Sequence, residues 1–300
     1  IQIRLPKLYA PSPCVEFSSL HRLLKGRIMR TATVLVMPLV CLSVLAVGCR
    51  VSPVTGERQL VLIDTQQEIA LGREAAPQFE QEFGGRVADA ELQAYVSRIG
   101  QSVAAQSERS MPYEFALLNS DTPNAFALPG GKVYITAGLM RQMENERELA
   151  AVLGHEVAHV AARHNVQALQ RQLGASLLVQ LAAAAVGPDA SDAAATATQI
   201  VTGMAQLSYS RDQELEADRI GMRYMERAGY NPYGMIELLT TLNGLEGDQP
   251  GWSEFFRTHP LTDRRLDEAL DTVQTQFASA DPNQRDPAQD QFLRMRQRLA

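Results

Sequence analysis

The chain has 300 residues, 45% of them hydrophobic, enough apolar material for one ordinary core or two small ones, which excludes a disordered tail. Its 28 basic and 34 acidic residues fall to 22 and 33 without residues 1–48, a formal charge of −11. So acidic a surface disfavours nucleic acid as a partner and offers no basic patch for anionic lipid.

Residues 31 to 49, TATVLVMPLVCLSVLAVGC, are uncharged, follow Lys25, Arg27 and Arg30 and end in small residues, the shape of a secretory signal. Met29 sits where such a signal begins, so residues 1–28 read as an upstream extension and 29–48 as the signal peptide. The ending Leu45-Ala46-Val47-Gly48-Cys49 resembles a bacterial lipobox, with Ala46 where leucine is usual. On that reading Cys49 is acylated and anchors the mature chain, as an outer-membrane lipoprotein, on the periplasmic side of the envelope. A plain signal cut nearby and an uncleaved span broken by Pro38 are the alternatives. All three put the folded part outside the cytoplasm. Cys14, Cys41 and Cys49 are the only cysteines, so disulfides do not hold the fold.

Residues 49–63 read as a linker, and a helix follows from Asp64 to about Phe83, capped by Asp64 or Thr65. A second helix spans Asp89 to about Gln106. Tyr113 to Asn119 and Lys132 to Thr136 then read as strands of a small sheet, separated by the turn signals Thr122-Pro123-Asn124 and Pro129-Gly130-Gly131. From Ala137 to about Leu173 the pattern is helical. Ser176 to Val186 is apolar but too short to span a bilayer, and a buried helical hairpin is favoured over a membrane-dipping element. A long helix ends at Ala228 before Gly229, Asn231 caps another with Pro232 at its first position, and a last begins near Asp263. The domain spans 64–279, and 280–300 reads as a polar tail, loose from Ala280 to Asp290. The class is α+β and predominantly helical.

The segment AAVLGHEVAHVAARH, residues 150–164, holds a glutamate in an otherwise apolar run. An unpaired buried carboxylate is costly, so something must compensate it. Residues four apart on a helix lie about 40° from one another, so His155 and His159 can present ring nitrogens to one metal ion. Glu156 flanks that face, placed to act as general base on a metal-activated water. His164, nine residues beyond His155, is turned about 180° from it in a continuous helix and reads as structural or surface.

Zinc needs a third protein ligand. A histidine completing HExxHxxGxxH would fall at Asn165, and no acid occurs between His159 and Asp189. The remaining candidates lie in SRDQELEADRIG, residues 210–221. Helical projection places Glu214 and Asp218 on a face with Leu207, Gly221, Met222 and Met225, and Asp212, Glu216, Arg219, Arg223 and Glu226 on the far side. Glu214 is therefore the expected third ligand, and Asp218 the acid that hydrogen-bonds a ligating histidine.

With HEVAH (His155–His159), ELEAD (Glu214–Asp218), NAFALPGGKVYITAGLM (Asn124–Met140) and THPLTDRR (Thr258–Arg265), the chain resembles the HtpX-like and BepA/LoiP-like zinc metallopeptidases, relatives of the prenyl-protein endoprotease. The resemblance implies a zincin-like fold with a small sheet beside the HExxH helix, one Zn2+ per chain, and endoproteolysis with the first glutamate of ELEAD as ligand. It lacks the multiple spans of the first branch and the helical repeats of BepA-like chains, which leaves the short, lipid-anchored periplasmic type.

Asn124, Ala125, Phe126 and Ala127 lie in a segment that either offers a strand edge to an extended substrate or is an ordinary hairpin of the sheet. His259 reads as oxyanion stabiliser, as a removable fourth ligand or as part of a helix start, and Arg265 as its orienter or as the partner of an acid near the metal. The expected partners are unfolded or misassembled polypeptides, the membrane through the anchor, and envelope assembly factors. Against an envelope endopeptidase stands a holdase or assembly factor with blocked or incidental proteolysis.

Overall fold

The structure, a computed structural model, describes residues 49–171, 208–245 and 251–299. The expected extension, signal peptide and 176–186 hairpin lie outside them. The segment read as a linker carries a two-stranded antiparallel ladder, β1 (Cys49–Val51) and β2 (Arg58–Leu60), with Cys49 opposite Leu60. Among the described residues no helix is long and apolar enough to cross a membrane.

In the larger unit, α1 (Thr65–Glu82) opens on a capping box in which Asp64 accepts from the Gln67 amide and Gln67 from the Asp64 amide. Helix α2 (Ala90–Ala104) is capped by Asp89. Three strands follow, β3 (Glu114–Leu118), β4 (Ala125–Leu128) and β5 (Lys132–Thr136), in the order β3-β5-β4, with β3 parallel and β4 antiparallel to β5. Successive side chains of a strand face opposite sides. Accordingly Phe115, Leu117, Ala125, Ala127, Val133 and Ile135 join the main core, while Ala116, Leu118, Leu128 and Tyr134 join a smaller cluster under α1. A sheet covered on both faces explains strands apolar along nearly their whole length.

The expected helix from Ala137 to Leu173 is three pieces: α3 (Ala137–Gln142), α4 (Glu146–Ala161) and a helical run over 164–171. The first break lets Asn145 accept from the Glu148 amide as a fresh cap. The second occurs at Arg163, which has φ 64. Helix α4 is buried from Glu148 to Ala161 and forms the centre of the main core.

Against α4 packs α5 (Arg211–Arg227), opened by a Ser210–Gln213 capping box. Next come α6 (Tyr233–Leu245), α7 (Ser253–Thr258) and α8 (Asp263–Gln276). The expected loose tail is instead anchored. Its α9 (Gln289–Gln297) buries Phe292 and Met295 in the main core, Asp286 accepts from the Arg147 amide, and Arg298 pairs with Asp89 and Glu91. Two well-spaced apolar residues suffice to dock a short helix whose average composition is polar.

A candidate metal centre

Helices α4 and α5 meet through glycines. A Cβ on Gly221 would lie 3.0 Å from Gly154 C and from His155 N, so the backbones approach more closely than side chains normally permit. That approach carries Glu214 to the rings of the facing helix. His155 Nε2 and His159 Nε2 are 3.0 Å apart, and Glu214 lies 3.5 Å from the first and 3.3 Å from the second. His259, the residue just after α7, brings Nδ1 to 3.3 Å from both His155 Nε2 and Glu214 Oε1. All four ligand atoms lie within 4.8 Å of one another, and all four residues are buried.

Donor atoms held about 2.0–2.1 Å from a tetrahedral ion are about 3.3 Å from each other, so these spacings fit one cation. The polar atoms left over agree. Both carboxylate oxygens of buried Glu156 lack a hydrogen-bond partner, a cost that a bound cation and its solvent relieve.

The electrostatics follow from burial. Burial alone would lower His155, but the Glu214 and Asp218 carboxylates outweigh it and push its pKa up to about 10. Burial and the neighbouring His155 hold His159 well below the ordinary value. Glu214 is held well below the carboxylate range despite burial, because His259, Arg265 and His155 surround it. Burial raises Glu156. The pocket thus keeps a negative ligand and one neutral imidazole ready beside a base.

Asp218 Oδ1 lies 2.8 Å from His155 Nδ1, an arrangement that leaves Nε2 free for metal. Arg265 donates to both oxygens of Asp218, each at 2.7 Å, and its Nη1 is 2.7 Å from Glu214 Oε2. It is buried with these acids and orients them rather than His259. His259 Nε2 lies 3.6 Å from Glu156 Oε1. Of the expected substrate segment, Asn124, Ala125 and Ala127 are buried and Phe126 packs against Phe79, Phe83 and Tyr134. Among the described residues, the other edge of β4 pairs with no strand.

His164 is buried and structural, one of the two readings expected of it, but the chain breaks at Arg163 instead of continuing α4 and brings His164 Nδ1 to 3.0 Å from His159 Nδ1. Glu216, partly exposed, lies 2.9 Å from His164 Nε2. Sequence reasoning also missed Tyr209, whose ring stacks on His159 with centroids 3.8 Å apart. No spacing rule marks it, since it lies ahead of the α5 cap.

Residues 90–273 match peptidase family M48. The chain is 34% identical over 189 residues to the beta-barrel assembly-enhancing protease of Escherichia coli strain K12, covering 59% of this chain and 38% of that protein. It is 31% identical over 218 residues to the mitochondrial metalloendopeptidase OMA1 of Schizosaccharomyces pombe, covering 71% and 63%. With OMA1 of Saccharomyces cerevisiae the identity is 34% over 161 residues, 52% of this chain and 45% of that protein. The chain thus spans little more than a third of the assembly-enhancing protease. Since the match takes in both α4 and α5 with their clustered histidines and glutamate, the chain belongs to peptidase family M48.

Proposed function

We propose that the chain is a zinc-dependent endopeptidase of the bacterial cell envelope, hydrolysing misfolded or misassembled proteins. The observation that carries this reading is the convergence of His155, His159 and Glu214 on one point, with the unpaired Glu156 carboxylate beside it. Two imidazoles and a carboxylate are a donor set suited to zinc. When bound, zinc supplies Lewis acidity toward a scissile carbonyl and toward the attacking water. Glu156 takes the water's proton on a carboxylate oxygen and delivers it to the leaving amine nitrogen. Asp218 holds the His155 ring, and Arg265 holds Asp218 and Glu214. The open edge of β4, from Asn124 to Ala127, pairs with an extended substrate through backbone hydrogen bonds, reading shape more than sequence.

The substrate class is supported by the name of the assembly-enhancing protease, and the envelope location by the signal-like residues 29–48 ahead of Cys49. Metal analysis of the full chain, with casein digestion in the presence and absence of a chelator, tests the reading. Digestion that the chelator abolishes supports it; no metal and no digestion refute it.

The placement of His259 favours a second reading. Its Nδ1 occupies the fourth corner of the cluster, where substrate must bind, so it acts as a removable ligand that silences the enzyme. Replacing His259 with Ala then raises casein cleavage, whereas loss of an oxyanion stabiliser lowers it. A silenced site also suits a holdase or assembly factor. Under that reading Glu156→Gln leaves client binding and envelope assembly intact, and under the peptidase reading both client degradation and the phenotype are lost.

A further inference from the structure

Metal-ligating histidines ordinarily donate the second ring N–H to a carboxylate, a backbone carbonyl or water. His155 follows that pattern through Asp218. His159 does not: its Nδ1 faces another imidazole nitrogen, His164 Nδ1, at 3.0 Å, and His164 Nε2 in turn faces Glu216 Oε2 at 2.9 Å.

Hydrogen-bond accounting fixes every proton in this chain. If His159 gives Nε2 to the cation, its one proton sits on Nδ1 and is donated to His164 Nδ1. His164 must then carry its own proton on Nε2, and Glu216 accepts it. A carboxylate that can only accept thus sets the tautomer of His164, and through it the tautomer of His159. Tyr209 stacked on the His159 ring limits its rotation.

The backbone supplies an independent observation. His164 reaches His159 only because Arg163 adopts φ 64, a conformation unfavourable for a residue with a side chain. That turn is tied down, with Arg163 Nη1 3.1 Å from Glu68 Oε2 and Nη2 donating to the Ile63 carbonyl. The same turn starts the run that buries Val166, Ala168 and Leu169 in the smaller core cluster, and it leaves His164 facing His159.

We infer that His164 and Glu216 are positioning residues of the metal centre, a relay that holds His159 in the tautomer with Nε2 free for the cation. The inference rests on the proposed reading in so far as His159 is a ligand. It is tested on the full chain by zinc competition against a chelator and by the visible spectrum of the cobalt(II)-substituted protein. His164→Phe, which removes the acceptor, weakens zinc binding roughly 10–100-fold. Glu216→Ala weakens it and alters the cobalt bands. Glu216→Gln, whose amide oxygen still accepts from His164, stays within about twofold of wild type and restores the spectrum. Glu216 is partly exposed at the α5 surface, so its two variants decide the matter even if His164→Phe does not fold. Wild-type affinity and spectrum in Glu216→Ala overturn the inference, as does equal failure of the Ala and Gln variants. A wild-type chain that takes up no zinc overturns the ligand reading itself, and this inference with it.

Discussion

Two buried clusters of charge lie along α4 and differ in one respect. At its carboxyl end, Glu68 receives Arg109 at both oxygens, at 3.0 and 2.5 Å, and Arg163 at 3.1 Å, while Arg109 also donates to the Val160 carbonyl. Every oxygen of that carboxylate is satisfied. One turn earlier, Glu156 has neither oxygen hydrogen-bonded, although it is as deeply buried. A closed network holds helices together; an open one is complete only with a ligand. Burial of charge alone does not distinguish them.

Exchange of function for stability breaks or sharpens that contrast. Glu156→Gln is expected to lower peptide hydrolysis by about 10²–10⁴-fold with metal content and unfolding midpoint unchanged or improved, measured by casein turnover and urea denaturation. Glu68→Ala should do the reverse, destabilising by about 3–5 kcal/mol because two arginines lose their carboxylate. Urea titration reads the loss, and hydrolysis per folded molecule should stay near wild type at low temperature.

Glu148, at the amino end of α4, offers a third kind of buried acid. Burial raises its pKa from 4.5 to about 7, against the partial compensation of hydrogen bonds from the Glu144 amide and Thr241. Between those values the unfolded chain releases a proton that the folded chain keeps. Stability therefore falls as pH rises from 4.5 to 7, by about 3 kcal/mol in all. In Glu148→Gln that fall disappears, so the difference between variant and wild type measured at pH 5 and pH 8 should grow toward pH 8. The smallest effect belongs to the cap of the same helix: Asn145→Ala should cost about 1 kcal/mol in a denaturant titration.

Residue spacing made part of this centre legible. His155, His159, Glu214 and Asp218 follow from periodicity within two uninterrupted helices, and the structure brings them together as projection implies. Projection failed where a helix stopped. Arg163 is neither glycine nor asparagine, so no local signal marked the left-handed turn that brings His164 against His159 and within reach of Glu216. His259 comes from 45 residues beyond Glu214, and its contact depends on where α7 docks through Trp252 and Phe255, a tertiary fact. Helix α9 escaped notice because two buried side chains, Phe292 and Met295, are diluted by six polar neighbours.

The glycine pair at the crossing of α4 and α5 sets a dimension. With only hydrogen atoms at Gly154 and Gly221, the distance from imidazole to carboxylate is governed by main chain against main chain, the least compressible contact a protein can make. Widening that crossing by one methyl group would loosen the grip on a small ion while leaving room for a larger one. The choice of cation is thereby written partly in two residues that never touch it.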